Sequence, residues 1–218
     1  MRIAIIDIIG IPYDGTTVYK QGLGGSESAV IYISEELTLL GFDVTVFCNC
    51  TDHASPGVYR GVHYRPLTDL VEDHEFDIVI SSRTVIPFAR PEDYPRLGDN
   101  RSLPFQSYKL YDRILSRARM RVLWMHDTFC LGDNLIEELA VENRITDIFT
   151  LTDFHLTYVA NCHHGRRRMF EVLKPKLFIT RNGARRHIEQ VDITAKDRNL
   201  FVYNASVTKG MVPLVDEV

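Results

Sequence analysis

Two continuous apolar runs, Ile3-Ala4-Ile5-Ile6 and Val44-Thr45-Val46-Phe47, enclose a stretch of helical period, and few folds accept that order. Runs of four β-branched or apolar residues with no polar alternation are the pattern of parallel strands covered on both faces. Between them Val30, Ile33, Leu37 and Leu40 recur at helical spacing, which predicts an amphipathic helix laid on the sheet. A long loop and Gly24-Gly25-Ser26-Glu27 open that helix, and Gly41 follows it. Residues 2–49 therefore predict a strand–helix–strand unit. A glycine pair at a helix start leaves amide N–H groups approachable at the positive end of the dipole, an arrangement suited to a phosphate or another electron-rich atom. Ser26 is expected to cap the helix, with Glu27 favourably placed against its dipole.

The alternation continues. Strands are expected at residues 57–64, 76–81, 121–126, 147–151 and 176–180. Helices are expected at 67–74, 105–119, 134–143 and 153–162, and a proline-rich irregular loop at 87–104. Strands alternating with helices predict an α/β fold, a Rossmann-like, doubly wound parallel sheet. Ligands of such sheets sit at the carboxyl ends of the strands. The candidates are then Gly24-Gly25, Ser82-Arg83, His126-Asp127, Thr152 and Asn182-Gly183. His126 is the sharpest, an imidazole where an apolar strand leaves the sheet, placed to hydrogen-bond a polar substrate.

Residues 184–198 are charged and patternless and read as a linker. Residues 199–203 begin another strand, followed by a polar turn through Lys209-Gly210 and an apolar stretch, 211–215. One strand and one helical turn cannot make a core. The expected organisation is an α/β domain over 1–183, a linker, and the opening of a second, truncated domain over 199–218.

Composition narrows the function. The chain has 218 residues and is 45% hydrophobic with a mean hydropathy of −0.10, an ordinary globular balance. No apolar run approaches the roughly 20 residues of a membrane span, and no signal peptide is visible. Four cysteines without a CxxC spacing suit reduced thiols in a cytoplasmic protein. Residues 1–108 carry 8 Lys+Arg against 15 Asp+Glu, whereas residues 109–198 carry 16 against 12. The basic residues from Arg113 to Arg121 read as a solvated face or as a patch for anionic lipid headgroups, a peripheral membrane contact. An acidic chain lacks the footprint of a nucleic-acid binder.

Several chemistries are excluded by spacing. The turn after the first strand is too long for GxGxxG, and the second strand ends at Cys48-Asn49 rather than on an acid, which argues against a dinucleotide. No Walker A loop and no Asp-x-Asp occurs, so the usual nucleotide–metal site is missing and no metal is expected. Cys162-His163-His164 has no further ligand at a sensible spacing for zinc. Ser26 does not sit in a GxSxG elbow.

Gly24-Gly25-Ser26-Glu27, the segment from Leu40 to Val46, Trp124-Met125-His126-Asp127, Thr180-Arg181-Asn182-Gly183, and Phe201-Val202-Tyr203 through Lys209-Gly210 occur in order along nearly the whole chain. Together they resemble the GT-B glycosyltransferases of family 4. The resemblance implies a retaining enzyme, cytoplasmic, that needs no metal or other cofactor. Its N-terminal half binds a glycan, lipid or protein acceptor and its C-terminal half a nucleotide-sugar donor. It further implies Gly24, Gly25 and Ser26 near donor diphosphate or acceptor, His126 and Asp127 as catalytic groups, Asn182 at the substrate, and Lys209 neutralising the diphosphate leaving group. Arg83 is added from its place at a strand end. The chain departs from the family at Tyr203-Asn204-Ala205, where an arginine is usual, and lacks the second domain's Glu-x7-Glu element. A non-catalytic α/β module binding carbohydrate or phosphate is the alternative, and a lipid-facing scaffold a third. Donor sugar, base and acceptor are not encoded in these residues.

Overall fold

The computed structural model describes residues 1–50, 54–71, 75–97, 115–127, 130, 132–162, 171 and 173–181. The chain divides into two units at Gly183–Ala184. The expected linker, the strand over 199–203, Lys209, Asn182, Arg113 and His163-His164 lie outside the described residues.

An eight-stranded sheet organises the unit, in the order β3-β4-β2-β1-β5-β6-β7-β8. Its strands are β1 (Arg2–Ile6), β2 (Asp43–Cys48), β3 (Gly57–Tyr59), β4 (Val62–Pro66), β5 (Ile78–Ser82), β6 (Met120–Trp124), β7 (Asp147–Thr150) and β8 (Leu177–Ile179). All neighbours are parallel except the β3–β4 hairpin. The sheet is thus the doubly wound α/β arrangement expected from the apolar runs.

Period 2 explains how both faces are buried. Ala4, Ile6, Val79, Leu123 and Ile148 enter one core, with Leu135, Ile136 and Leu139 packed over them. Ile3, Ile5, Val44, Val46, Ile80, Val122 and Trp124 enter the other, beneath Val30 and Ile31. The helices are α1 (Thr17–Lys20), α2 (Gly25–Leu39), α3 (Ile136–Val141) and α4 (Asp153–Cys162).

Three local expectations are corrected. Residues 57–64 form a hairpin, turned by Arg60 and Gly61 at φ 51° and 80°, not one strand. On α2, Ile33 is exposed, as is Leu40 just after it, while Ile31 and Ser34 are buried, because apolar residues surround this helix and the period alone does not select the covered stripe. The segments over 67–74 and 105–119 show 3-10 turns at Leu67–Val71 and Leu115–Arg117 in their described parts.

One residue of the expected membrane patch is buried, while Arg117 and Arg119 are exposed. Arg121 is buried, and its guanidinium donates to the carbonyls of Ala118, Asn143 (2.7 Å) and Arg144 (3.2 Å). A guanidinium consumed by three backbone acceptors holds loops together and presents no charge to a lipid headgroup. Arg117 stays at the surface, 4.0 Å from Glu75. Among the described residues no helix is long and apolar enough to cross a membrane.

Candidate functional site

The chain leaves β1, runs outward through β2 and β4, then returns to place β5 on the other side of β1. That reversal makes a topological switch point, where the strand ends diverge and open a crevice. Asp7 follows β1 and Arg83 follows β5, so the two flank the crevice. The Arg83 guanidinium spans it, donating to Asp7 Oδ1 at 3.1 Å and to Glu27 Oε1 of α2 at 2.8 Å. All three side chains are largely withdrawn from water, Asp7 completely. Tyr13 completes the group by donating its phenol to Asp7 Oδ2 at 3.2 Å.

Local backbone makes the bridge possible. Arg83 adopts φ 62°, and its amide donates to the Trp124 carbonyl at 2.9 Å, turning the chain back over the sheet edge. A left-handed conformation at a non-glycine residue is costly and persists only where surrounding contacts hold it. Two buried carboxylates supply those contacts. Burial pushes the Asp7 carboxyl above its usual range despite the adjacent guanidinium, and burial likewise raises the Tyr13 phenol, so Tyr13 remains a donor.

The glycines have a different reason from the one expected. A Cβ at Gly24 would overlap Glu27 Oε2, and a Cβ at Gly10 would lie 2.7 Å from Asp7 Oδ2. Both glycines therefore make room for a carboxylate of the trio. Gly25 is exposed, with open space where a Cβ would stand. Ser26 is not the cap: Gly24, extended at φ −60° and ψ 152°, precedes the helix, and Ser28 N–H donates to its carbonyl at 2.9 Å. The helix starts two residues earlier than the serine would dictate.

Gly24→Ala should consequently displace Glu27 from Arg83 and cost about 1–3 kcal/mol by overpacking. Gly25→Ala, with nothing within 4 Å, should be close to neutral. Urea denaturation of the two variants side by side checks the contrast; equal losses would contradict it.

His126 lies beyond β6, half-buried, its ring 4.1 Å from the Trp124 ring and inclined by 47°. Burial, then the positive field of Arg83, lowers its pKa to about 4, with Glu27 opposing and His155 adding to the shift. His126 therefore feels Arg83 and Glu27, while the Glu27 carboxylate rests against Gly24. The glycine turn and the imidazole thus share one electrostatic environment along the strand-end rim. Asp127 is exposed. Thr152 caps α4, accepting from His155 N–H at 3.0 Å.

His155 was not singled out by sequence, yet it is buried on this rim. Its Nδ1 accepts from Leu151 N–H at 3.4 Å, which assigns the ring proton to Nε2. That Nε2 has no partner among the described residues, and neither do Ser82 Oγ, Arg83 Nε, Trp124 Nε1 and His126 Nε2. Buried polar atoms normally find partners, so a row of unpaired ones at strand ends marks where a ligand or water belongs. Among the described residues no cluster of His, Cys, Asp and Glu is arranged to hold a metal ion.

Comparison of the chain with protein-family models, with curated proteins and with solved structures found no match.

Proposed function

We propose that this unit is the acceptor-side half of a retaining glycosyltransferase, which moves a sugar from a nucleotide-sugar to a hydroxyl of a glycan, lipid or protein. The observation that carries the reading is the rim that joins Gly24, Glu27, Arg83 and His126 at the switch point. Two carboxylates against one guanidinium leave an excess of acceptors there, and the unpaired N–H groups of Trp124, Arg83 and His155 supply donors nearby. A hydroxyl both donates and accepts, so a polyhydroxyl ligand satisfies both sets. Phosphate is anionic at neutral pH and would meet the charge of Asp7 and Glu27 at a cost, which disfavours a phosphate-binding module. His126, neutral at pH 7, would position a hydroxyl by hydrogen bonding rather than by charge. Lys209 would neutralise the departing diphosphate, as the family resemblance implies.

The test is to supply the protein encoded by the complete gene with a panel of sugar nucleotides and of glycan and lipid acceptors, measuring released nucleoside diphosphate. Acceptor-dependent release with one donor is expected. The 218 residues alone should neither turn over donor nor hold UDP or GDP tightly; tight binding by them would contradict the division into an acceptor half. Glycan binding without any release would move the reading to a non-catalytic carbohydrate module.

A further inference from the structure

β2 ends in Cys48-Asn49-Cys50, and the backbone there folds back on itself, with Cys50 N–H donating to the Cys48 carbonyl at 2.9 Å. The turn brings the two sulfurs within 3.4 Å of each other. Both thiols also converge on one acceptor, the Tyr13 carbonyl, at 3.3 Å from Cys48 and 3.8 Å from Cys50. Cys48 is fully buried, whereas Cys50 retains 8% exposure at the edge of the same cluster. Two thiols held in contact, one behind the other, have the layout of an attacking and a resolving cysteine.

We infer that Cys48 and Cys50 form a reversible disulfide when the folded protein meets a small-molecule disulfide. The thiolate of Cys50 attacks one sulfur of the reagent RSSR, whose S–S bond breaks and releases RSH with the proton that Cys50 gave up. Cys48 then loses its proton and attacks the Cys50 sulfur of the mixed disulfide, expelling the second RSH. Two electrons pass from the protein thiols to the reagent, and the net change is one disulfide formed for one broken.

The contact with the Cys48 sulfur lowers the Cys50 thiol from its ordinary range, against burial, and this suits Cys50 to the first step. Cys48 is shifted upward by the same contact and by burial, so it acts second. Oxidation removes both S–H donors from the Tyr13 carbonyl, the residue whose phenol donates to Asp7. The inference stands on the thiol geometry and does not depend on the proposed transfer activity.

The experiment incubates folded wild-type protein with oxidised glutathione, quenches in acid, alkylates free thiols and maps peptides by mass spectrometry. The expected result is a peptide spanning Cys48 and Cys50 lighter by two hydrogens and blocked to alkylation, restored by dithiothreitol, with Cys130 still reduced. Cys48→Ser should stall as the glutathione adduct of Cys50, and Cys50→Ser should leave Cys48 unmodified. Full alkylation of both thiols after the same treatment, or a crosslink from either to another cysteine, would overturn the inference. The wild-type map decides even where a serine variant fails to fold.

Discussion

Arg83→Ala is expected to lower the unfolding free energy by about 3–5 kcal/mol, the range for removing one partner of a buried ion pair. The loss arises because Asp7 and Glu27, both withdrawn from water, would face each other without a counter-ion. A glycine at the same position separates charge from strain. Arg83 sits at φ 62°, so Arg83→Gly should recover about 1–2 kcal/mol relative to Arg83→Ala. Lysine keeps the charge but lacks the planar guanidinium whose Nη2 serves both carboxylates, and should fall between wild type and alanine. Urea denaturation measures all three. A loss below about 1 kcal/mol for R83A, the range of an exposed pair, would mean that the trio is not held dry.

Arg144→Ala should cost a similar amount, about 3–5 kcal/mol, for a purely structural reason. Its guanidinium donates to Asp93 at 2.6 Å and to the Phe88 carbonyl at 3.2 Å, with both charged side chains nearly inaccessible. Burial works against Asp93, yet the hydrogen bond and charge of Arg144 hold its carboxyl below the usual range. Without the arginine, that buried carboxylate keeps the Arg90 N–H at 2.7 Å and the charge of Arg96. The pair ties the turn at Pro91–Arg96 to the chain after α3, away from the switch point. Arg144 is also absent from the groups that act on His126. R144A should therefore unfold at lower urea while leaving the His126 titration unmoved. A shifted titration would show that the two regions are coupled.

How much of this was readable in advance follows from what is local. β1, β2, β5, β6, β7 and β8 are short apolar runs, and burial on both faces writes itself into such runs directly. The strand-end rule picked out Arg83 and His126, and applied to β1 it would also have picked out Asp7, the first polar residue after Ile6. Glu27 carried a sufficient local explanation in the helix dipole, and that explanation hid its contact with a residue 56 positions away. No period or spacing encodes such a pairing. His155 had the same difficulty, since its place on the rim depends on how α4 returns to β7. Ser26 misled because capping preference names residue types, while the extended backbone at Gly24 decided where the helix began. The turn at Arg60-Gly61 carried a local signal in its glycine, and the strand-like residues on either side concealed it.

The central claim is that the helix start and the imidazole share one electrostatic environment. It is tested most directly by following the His126 ring by NMR through an acid titration, in wild type and in Glu27→Gln. His126 should stay neutral down to about pH 4, and removal of the Glu27 charge, which favours the imidazolium, should push its titration lower still. Because the unfolded imidazole binds its proton near pH 6.5, the unfolded state holds more protons between pH 6.5 and 4. Stability should therefore fall as the pH is lowered through that window, by on the order of 2–3 kcal/mol. A ring that titrates near 6.5 and is indifferent to Glu27 would place the two groups apart, and the single rim with them.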